Sequence, residues 1–325
     1  CYTWGGTYRD SEDVLVARKV AEACEQSHQV VTVGGEFLSR FPHYAERSLY
    51  LTDVCVDVSR SPDLFVSERA REISPVKVVG TYGSELLQHA RMFKPVEPGA
   101  GLFRPEFLAY VRQARDTYTE LLHENPVTFV AFRQSPWYHY GILALEETQL
   151  TVRSPYLDND FVKTVFREPR SEVATTDLRP RLIAEGNPAL GRIRSDRGIR
   201  GGSRGLRAMA ARGLLEFTFK SEYAYDYGMP QWVSRIDHVF APFHLERLFL
   251  GRHKFAHFRV WYRDALSKYV REMLLDPRTL SRPYLQREGV EAVVRGHLKG
   301  SHNYTTEIHK VLTLELLHRL FLDSR

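Results

Sequence analysis

Residues 76–87, VKVVGTYGSELL, constrain the chain most. Val76, Val78 and Val79 are β-branched and partly alternate, the run stops at Gly80, and it resumes after Glu85 as the helix-compatible Leu86 and Leu87. The pattern predicts strand, tight turn, helix. A buried parallel strand that passes through glycines into a helix leaves backbone N–H groups at the helix start, and these attract an anion. The turn also carries a phenol, Tyr82, and a carboxylate, Glu85, at its apex, so it is read as part of an active site. Plain packing geometry is the commoner use of two glycines between a strand and a helix, and the rest of the chain has to decide between the two readings.

The residues before this turn favour chemistry. Residues 1–4 have strand character and Gly5, Gly6 and Thr7 turn the chain. Ser11 then caps a helix with acidic residues, Glu12 and Asp13, in its first turn and an apolar face of Val14, Ala17, Val20, Ala21 and Cys24. Residues 30–33 form a second strand, residues 36–51 a helix, and residues 64–71 a helix begun by Pro62 and Asp63. Three strands alternating with helices before residue 90 predict an α/β fold with a Rossmann-like open parallel sheet. Ligands bind such sheets beyond the carboxyl ends of the strands, where the turns at 5–8 and 80–85 would both lie.

A Pro/Gly-rich break at 95–101 divides an α/β core, residues 1–95, from a mainly helical remainder, residues 96–325. In the remainder, Phe107, Val111, Ala114, Tyr118 and Leu121 recur at helical spacing, a helix is expected over 137–145, and Asn159 or Asp160 caps another. Phe258, Trp261, Tyr262, Ala265 and Tyr269 share one helical face. Ile308, Val311, Leu312, Glu315, Leu316 and Leu320 form a last stripe. His253, His257, His302, His309 and His318 have no metal-binding spacing and are read as packing or surface histidines.

Composition narrows the class. With 325 residues, 43% hydrophobic and 26% charged, the chain has material for one large or two smaller cores. Much of the net charge of +5 sits in residues 192–212, where seven arginines alternate with glycines. No aromatic side chains are interleaved for base stacking, so a solvated loop is favoured over a nucleic-acid contact. Three scattered cysteines, Cys1, Cys24 and Cys55, suit a reducing, cytoplasmic setting. No apolar run has spanning length and no leader precedes the first strand, so neither a membrane segment nor a signal peptide is expected.

Several segments together resemble the synthetase half of the asparagine synthetase family, which includes β-lactam synthetase. They are SEDVLVARKVAEACEQSH at 11–28, VVGTYGSELL at 78–87, VRSPYLDNDFV at 152–162 and LRPRLIAEGNPALGRIRSDRG at 178–198. The resemblance implies an ATP pyrophosphatase fold and an ATP-dependent amide-forming ligase. A small-molecule carboxylate, aspartate or a related acid, is activated as an acyl-adenylate with Mg²⁺, and ammonia or an amine then displaces AMP. It further implies that Tyr82 takes the place of the family's proton-removing glutamate, as a tyrosine does in β-lactam synthetase, and that Glu85 takes the place of the Mg²⁺-binding aspartate. Thr3, Gly80, Thr81, Gly83 and Ser84 become nucleotide contacts, and Arg153 a structural brace. A phenol with an ordinary pKa near ~10 needs a partner or a nearby cation to act as a base at neutral pH.

The chain also departs from the family pattern. The SGGxDS pyrophosphate loop that precedes the adenine-binding strand is not in the sequence, nor is the amidotransferase domain, and the chain starts at Cys1 as if cut from a longer polypeptide. The family's phosphate-steadying lysine aligns with Asp196, beside Arg197. The leading expectation is therefore a fragment of such a ligase, inactive by itself. The rival is a scaffold or partner-binding protein that kept the fold and lost the chemistry.

Overall fold

A computed structural model describes residues 1–88, 98–99, 101–167, 178–195, 206–228 and 245–323. The described residues are mostly helical, with two separate two-stranded parallel sheets. By contact the chain groups into two units, each discontinuous in sequence. One comprises Cys1–Arg40, Arg179–Ser267 and Gly296–Thr305; the other comprises Phe41–Leu178, Lys268–Arg295 and Thr306–Arg325. This grouping cuts across the break at 95–101, because residues 41–88 gather with the helices that follow them. Asp196, Arg197, Arg200 and Arg204 lie outside the described residues, as do Pro95 and most of the break. Among the described residues no helix is long and apolar enough to cross a membrane.

In the first unit, β1 (Tyr2–Gly5) pairs in parallel with β2 (Gln29–Thr32), Tyr2 opposite Gln29 and Gly5 opposite Thr32. The connecting helix α1 (Glu12–Ala23) starts where the sequence places it: the Ser11 hydroxyl accepts the Val14 N–H at 3.3 Å, and Glu12 and Asp13 complement the helix dipole. Its buried face is narrower than its apolar pattern, comprising Val14 and Ala21, while Val20 and Cys24 are exposed. A short helix, α2 (Gly35–Ser39), buries Phe37 against Trp261. Around Phe258–Arg263 the aromatic stripe is as expected for Phe258, Trp261 and Tyr262. The chain breaks at Asp264, however, so Tyr269 belongs to a second helix, Ser267–Leu274.

In the second unit, α3 (Phe41–Leu51) and α4 (Ser61–Ile73) pack through Tyr44 and Phe65, whose rings meet edge-on at 5.4 Å. The strand β3 (Val76–Val78) follows and pairs in parallel with β4 (Thr151–Arg153), Lys77 opposite Val152. This corrects two expectations. The three N-terminal strands do not share one open sheet, since β3 finds its partner more than 70 residues downstream. Nor is β3 buried: Val76 and Val78 are 50% and 72% exposed, while Lys77 turns inward to a 2.8 Å ion pair with the buried Glu146. A lysine that finds a carboxylate can occupy the inner face, and the alternating valines are then left on the outer one.

The helical remainder of this unit includes α5 (Gly83–Gln88), α6 (Pro105–Leu121), the one-turn α7 (Pro126–Phe129), a π-helical segment Val130–His139, α8 (Tyr140–Glu147) and α9 (Asn159–Arg167). Of the α6 stripe only Tyr118 is buried. Asp158 caps α9, one residue before the expected cap, its carboxylate accepting the N–H groups of Asp160 and Phe161 at 2.9 and 3.0 Å. The C-terminal stripe packs as predicted: Ile308, Val311, Leu312 and Leu316 are buried, and Glu315 among them is paired with Arg282 and Arg319.

Candidate functional site

The turn after β3 takes the form its sequence suggests, strand, turn and short helix. Val79 extends the ladder by donating its N–H to Arg153 O at 2.9 Å, and Gly83 N–H closes the turn on Gly80 O at 3.1 Å. Tyr82 sits between them with φ +73°, a left-handed conformation that an L-residue adopts only when its surroundings enforce it. Three contacts hold the turn. The Ser154 hydroxyl donates to Thr81 O at 2.6 Å, the ring of Tyr156 fills the space where a Cβ on Gly83 would stand, and Tyr82 and Leu86 are buried with Val130. Phe161, Val162 and Val165 of α9 pack on the same cluster. Gly83 is therefore a packing glycine, whereas a Cβ on Gly80 would meet nothing within 4 Å.

A cleft of about 260 Å³ opens here, lined by Gly80, Thr81, Tyr82, Ser84, Glu85, Tyr138, His139, Ile142 and Leu143. Of the residues singled out in the sequence, Gly80, Thr81, Tyr82, Ser84 and Glu85 come together in it. Gly83 shapes the turn from behind. Thr3 is not among the lining residues; it stands on β1 with its hydroxyl 2.8 Å from His28 Nε2. Arg153 is an exposed strand residue whose guanidinium bonds Val152 O at 3.0 Å.

Tyr138 and His139 were not anticipated. They come from the end of the π-helical segment, which also supplies Ser135, a hydrogen-bond partner of the Tyr82 phenol. His139 is 4% exposed, its Nε2 lies 3.0 Å from Glu85 Oε1, and its ring centroid is 4.4 Å from that of Tyr82. Behind the cleft, Arg60 bonds the Tyr138 hydroxyl at 2.6 Å and lies 3.4 Å from the buried Asp63. Burial pushes the Asp63 carboxyl up to about 6, although Arg60 opposes the shift. π-helical turns often mark functional sites, and a proline inside a periodic stretch, here Pro136, was the available sequence signal.

The chemistry of this cleft follows from its charges. Burial raises the Tyr82 phenol above its ordinary pKa; the Ser135 hydrogen bond pulls it down and the Glu85 charge pushes it further up. Tyr82 is thus a hydrogen-bond donor at neutral pH and a poor base. Glu85 is the sole carboxylate among the described lining residues, and one of its oxygens is engaged by His139. Mg²⁺ demands octahedral oxygen ligation, and no group of three His, Cys, Asp or Glu side chains suited to a metal occurs among the described residues. Glu85 offers Mg²⁺ one protein ligand here, and phosphate and water would have to supply the others. For a nucleotide the fit is partial: no lysine or arginine lines the cleft among the described residues, and its volume is below the ~300–1,000 Å³ of typical small-molecule pockets.

The first unit holds a second cluster of buried charge. Glu222 accepts the N–H groups of Gly251 and His253 at 2.6 and 2.7 Å, and burial raises its carboxyl to about 7 against those two bonds. Asp226 is paired with Lys254, whose ammonium lies 3.8 Å from the Tyr227 ring centroid. His257, 3.5 Å from Glu222, is pushed down to about 4 by burial. His253 and His257 are thus core histidines of a polar network.

No family model matches the chain, and no curated protein or solved structure matches it either.

Proposed function

We propose that the cleft beside Tyr82 and Glu85 is the acyl-transfer site of an ATP-dependent, amide-forming ligase of the asparagine synthetase type. The observation that carries the reading is the convergence, at the carboxyl end of a parallel strand, of a strained tyrosine, a buried carboxylate and a histidine around a cleft of about 260 Å³. ATP as co-substrate supplies activation of a carboxylate, aspartate or a related acid, as its adenylate. The residues of this chain then orient the acyl group, exclude water with Ile142 and Leu143, and handle the proton released when ammonia or an amine attacks. An ATP pyrophosphatase fold remains part of this proposal.

The test is release of pyrophosphate by the natural full-length chain from ATP and Mg²⁺ with a panel of carboxylates. Release that depends on one carboxylate is the expected result; no ATP binding and no release with any of them overturns the reading. The second reading, a partner-binding scaffold with the same ancestry, is favoured by two observations: the Gly83 N–H is spent on Gly80, and no cationic side chain lines the cleft among the described residues. The same negative result would leave it standing.

A further inference from the structure

Proton acceptor and metal ligand are the roles first expected for Tyr82 and Glu85; burial raises the phenol away from the first, and the second leaves the Glu85 oxygen that faces His139 unexplained. His139 accounts for both mismatches. Its Nε2 is held 3.0 Å from Glu85 Oε1, while its Nδ1 is buried and makes no hydrogen bond. In the neutral ring a proton on Nε2 faces the Glu85 carboxylate, which leaves the lone pair on Nδ1. A buried polar atom left without a protein partner is exceptional, and beside a cleft it points to a donor supplied by a ligand.

We infer that His139 is the general base of this cleft and Glu85 its positioning residue, so that Glu85 holds an imidazole and not a metal ion. The inference rests on the ligase reading. In the amide-forming step the lone pair of the attacking nitrogen forms the new C–N bond to the acyl carbon. An N–H proton passes to His139 Nδ1, and the acyl C–O bond breaks with its electron pair leaving on the phosphate oxygen of AMP. The resulting imidazolium is stabilised by the Glu85 carboxylate already facing Nε2. Tyr82 keeps its proton throughout and acts as a donor.

Two half-reactions separate the possibilities. Carboxylate-dependent exchange of labelled pyrophosphate into ATP reports activation, which needs no base for the amine; amide yield reports the second step. With the natural full-length chain, His139→Ala and His139→Gln are expected to hold exchange within about threefold and to lose amide formation by about 100-fold, and added imidazole restores part of the His139→Ala rate. Should His139→Ala fail to fold, His139→Gln, which retains an N–H toward Glu85, carries the test. Glu85→Gln follows the same pattern and leaves the Mg²⁺ requirement of exchange unchanged, while Tyr82→Phe loses less than about tenfold. Undiminished amide formation by His139→Gln overturns the inference alone. So does a tenfold rise in the Mg²⁺ requirement of Glu85→Gln at a constant ratio of amide to exchange. If the unaltered chain exchanges no pyrophosphate with any carboxylate, the ligase reading falls and takes this inference with it.

Discussion

Asp63 shows how far a single residue can be displaced from its ordinary behaviour. Its carboxyl, 3% exposed, titrates near 6 in the fold against 3.8 when unperturbed. The folded protein therefore holds a proton that the unfolded chain has released between those values, and Asp63 contributes stability at low pH that is lost as pH rises through about 6. Urea titrations should show Asp63→Asn removing a fall of up to about 3 kcal/mol between pH 4 and pH 7, once compared with the unaltered chain. An unchanged pH profile would mean that Arg60 keeps the carboxylate ionised. Tyr82 and Glu85 stood out as candidate site residues because Gly80 and Gly83 bracket the phenol in a short turn and the carboxylate follows two residues later. His139 did not, because its partner Glu85 lies 54 residues away and Pro136 interrupts the helical pattern of its own segment.

Among the elements, β3 and its turn best separate what a local pattern can tell from what it cannot. Strand, turn and helix follow from the order of valines, glycines and leucines, and the structure has all three. Which face is buried depended on Lys77 meeting Glu146, and which strand pairs with β3 depended on residues 151–153; both are long-range facts with no local trace. The turn makes a paired prediction. A Cβ at Gly83 would lie 2.8 Å from the Tyr156 ring, so Gly83→Ala should destabilise the fold by about 1–3 kcal/mol, whereas Gly80→Ala, with open space around it, should stay within about 0.5 kcal/mol. Equal losses in chemical denaturation would show that the turn is held by something other than Tyr156.

Among the described residues helices dominate, and each of the two units carries one small parallel sheet in place of the single open sheet expected. The expectation erred because alternating strands and helices specify parallel pairing without specifying which strands pair. Each unit also has its own buried polar network. In the first, removing one member should be severe: Lys254→Met leaves Asp226, fully buried, without its cation, and is expected to cost about 3–5 kcal/mol, readable in thermal or urea unfolding. In the second, the network surrounds the cleft, and the account stands or falls on whether chemistry occurs there. The direct measurement is the amide-forming rate of the natural full-length chain carrying Ile142→Trp, which puts an indole in place of a residue that lines the cleft. At an unchanged melting temperature, loss of that rate by about 100-fold or more is the predicted result; amide formation at the unaltered rate would contradict the assignment of the cleft.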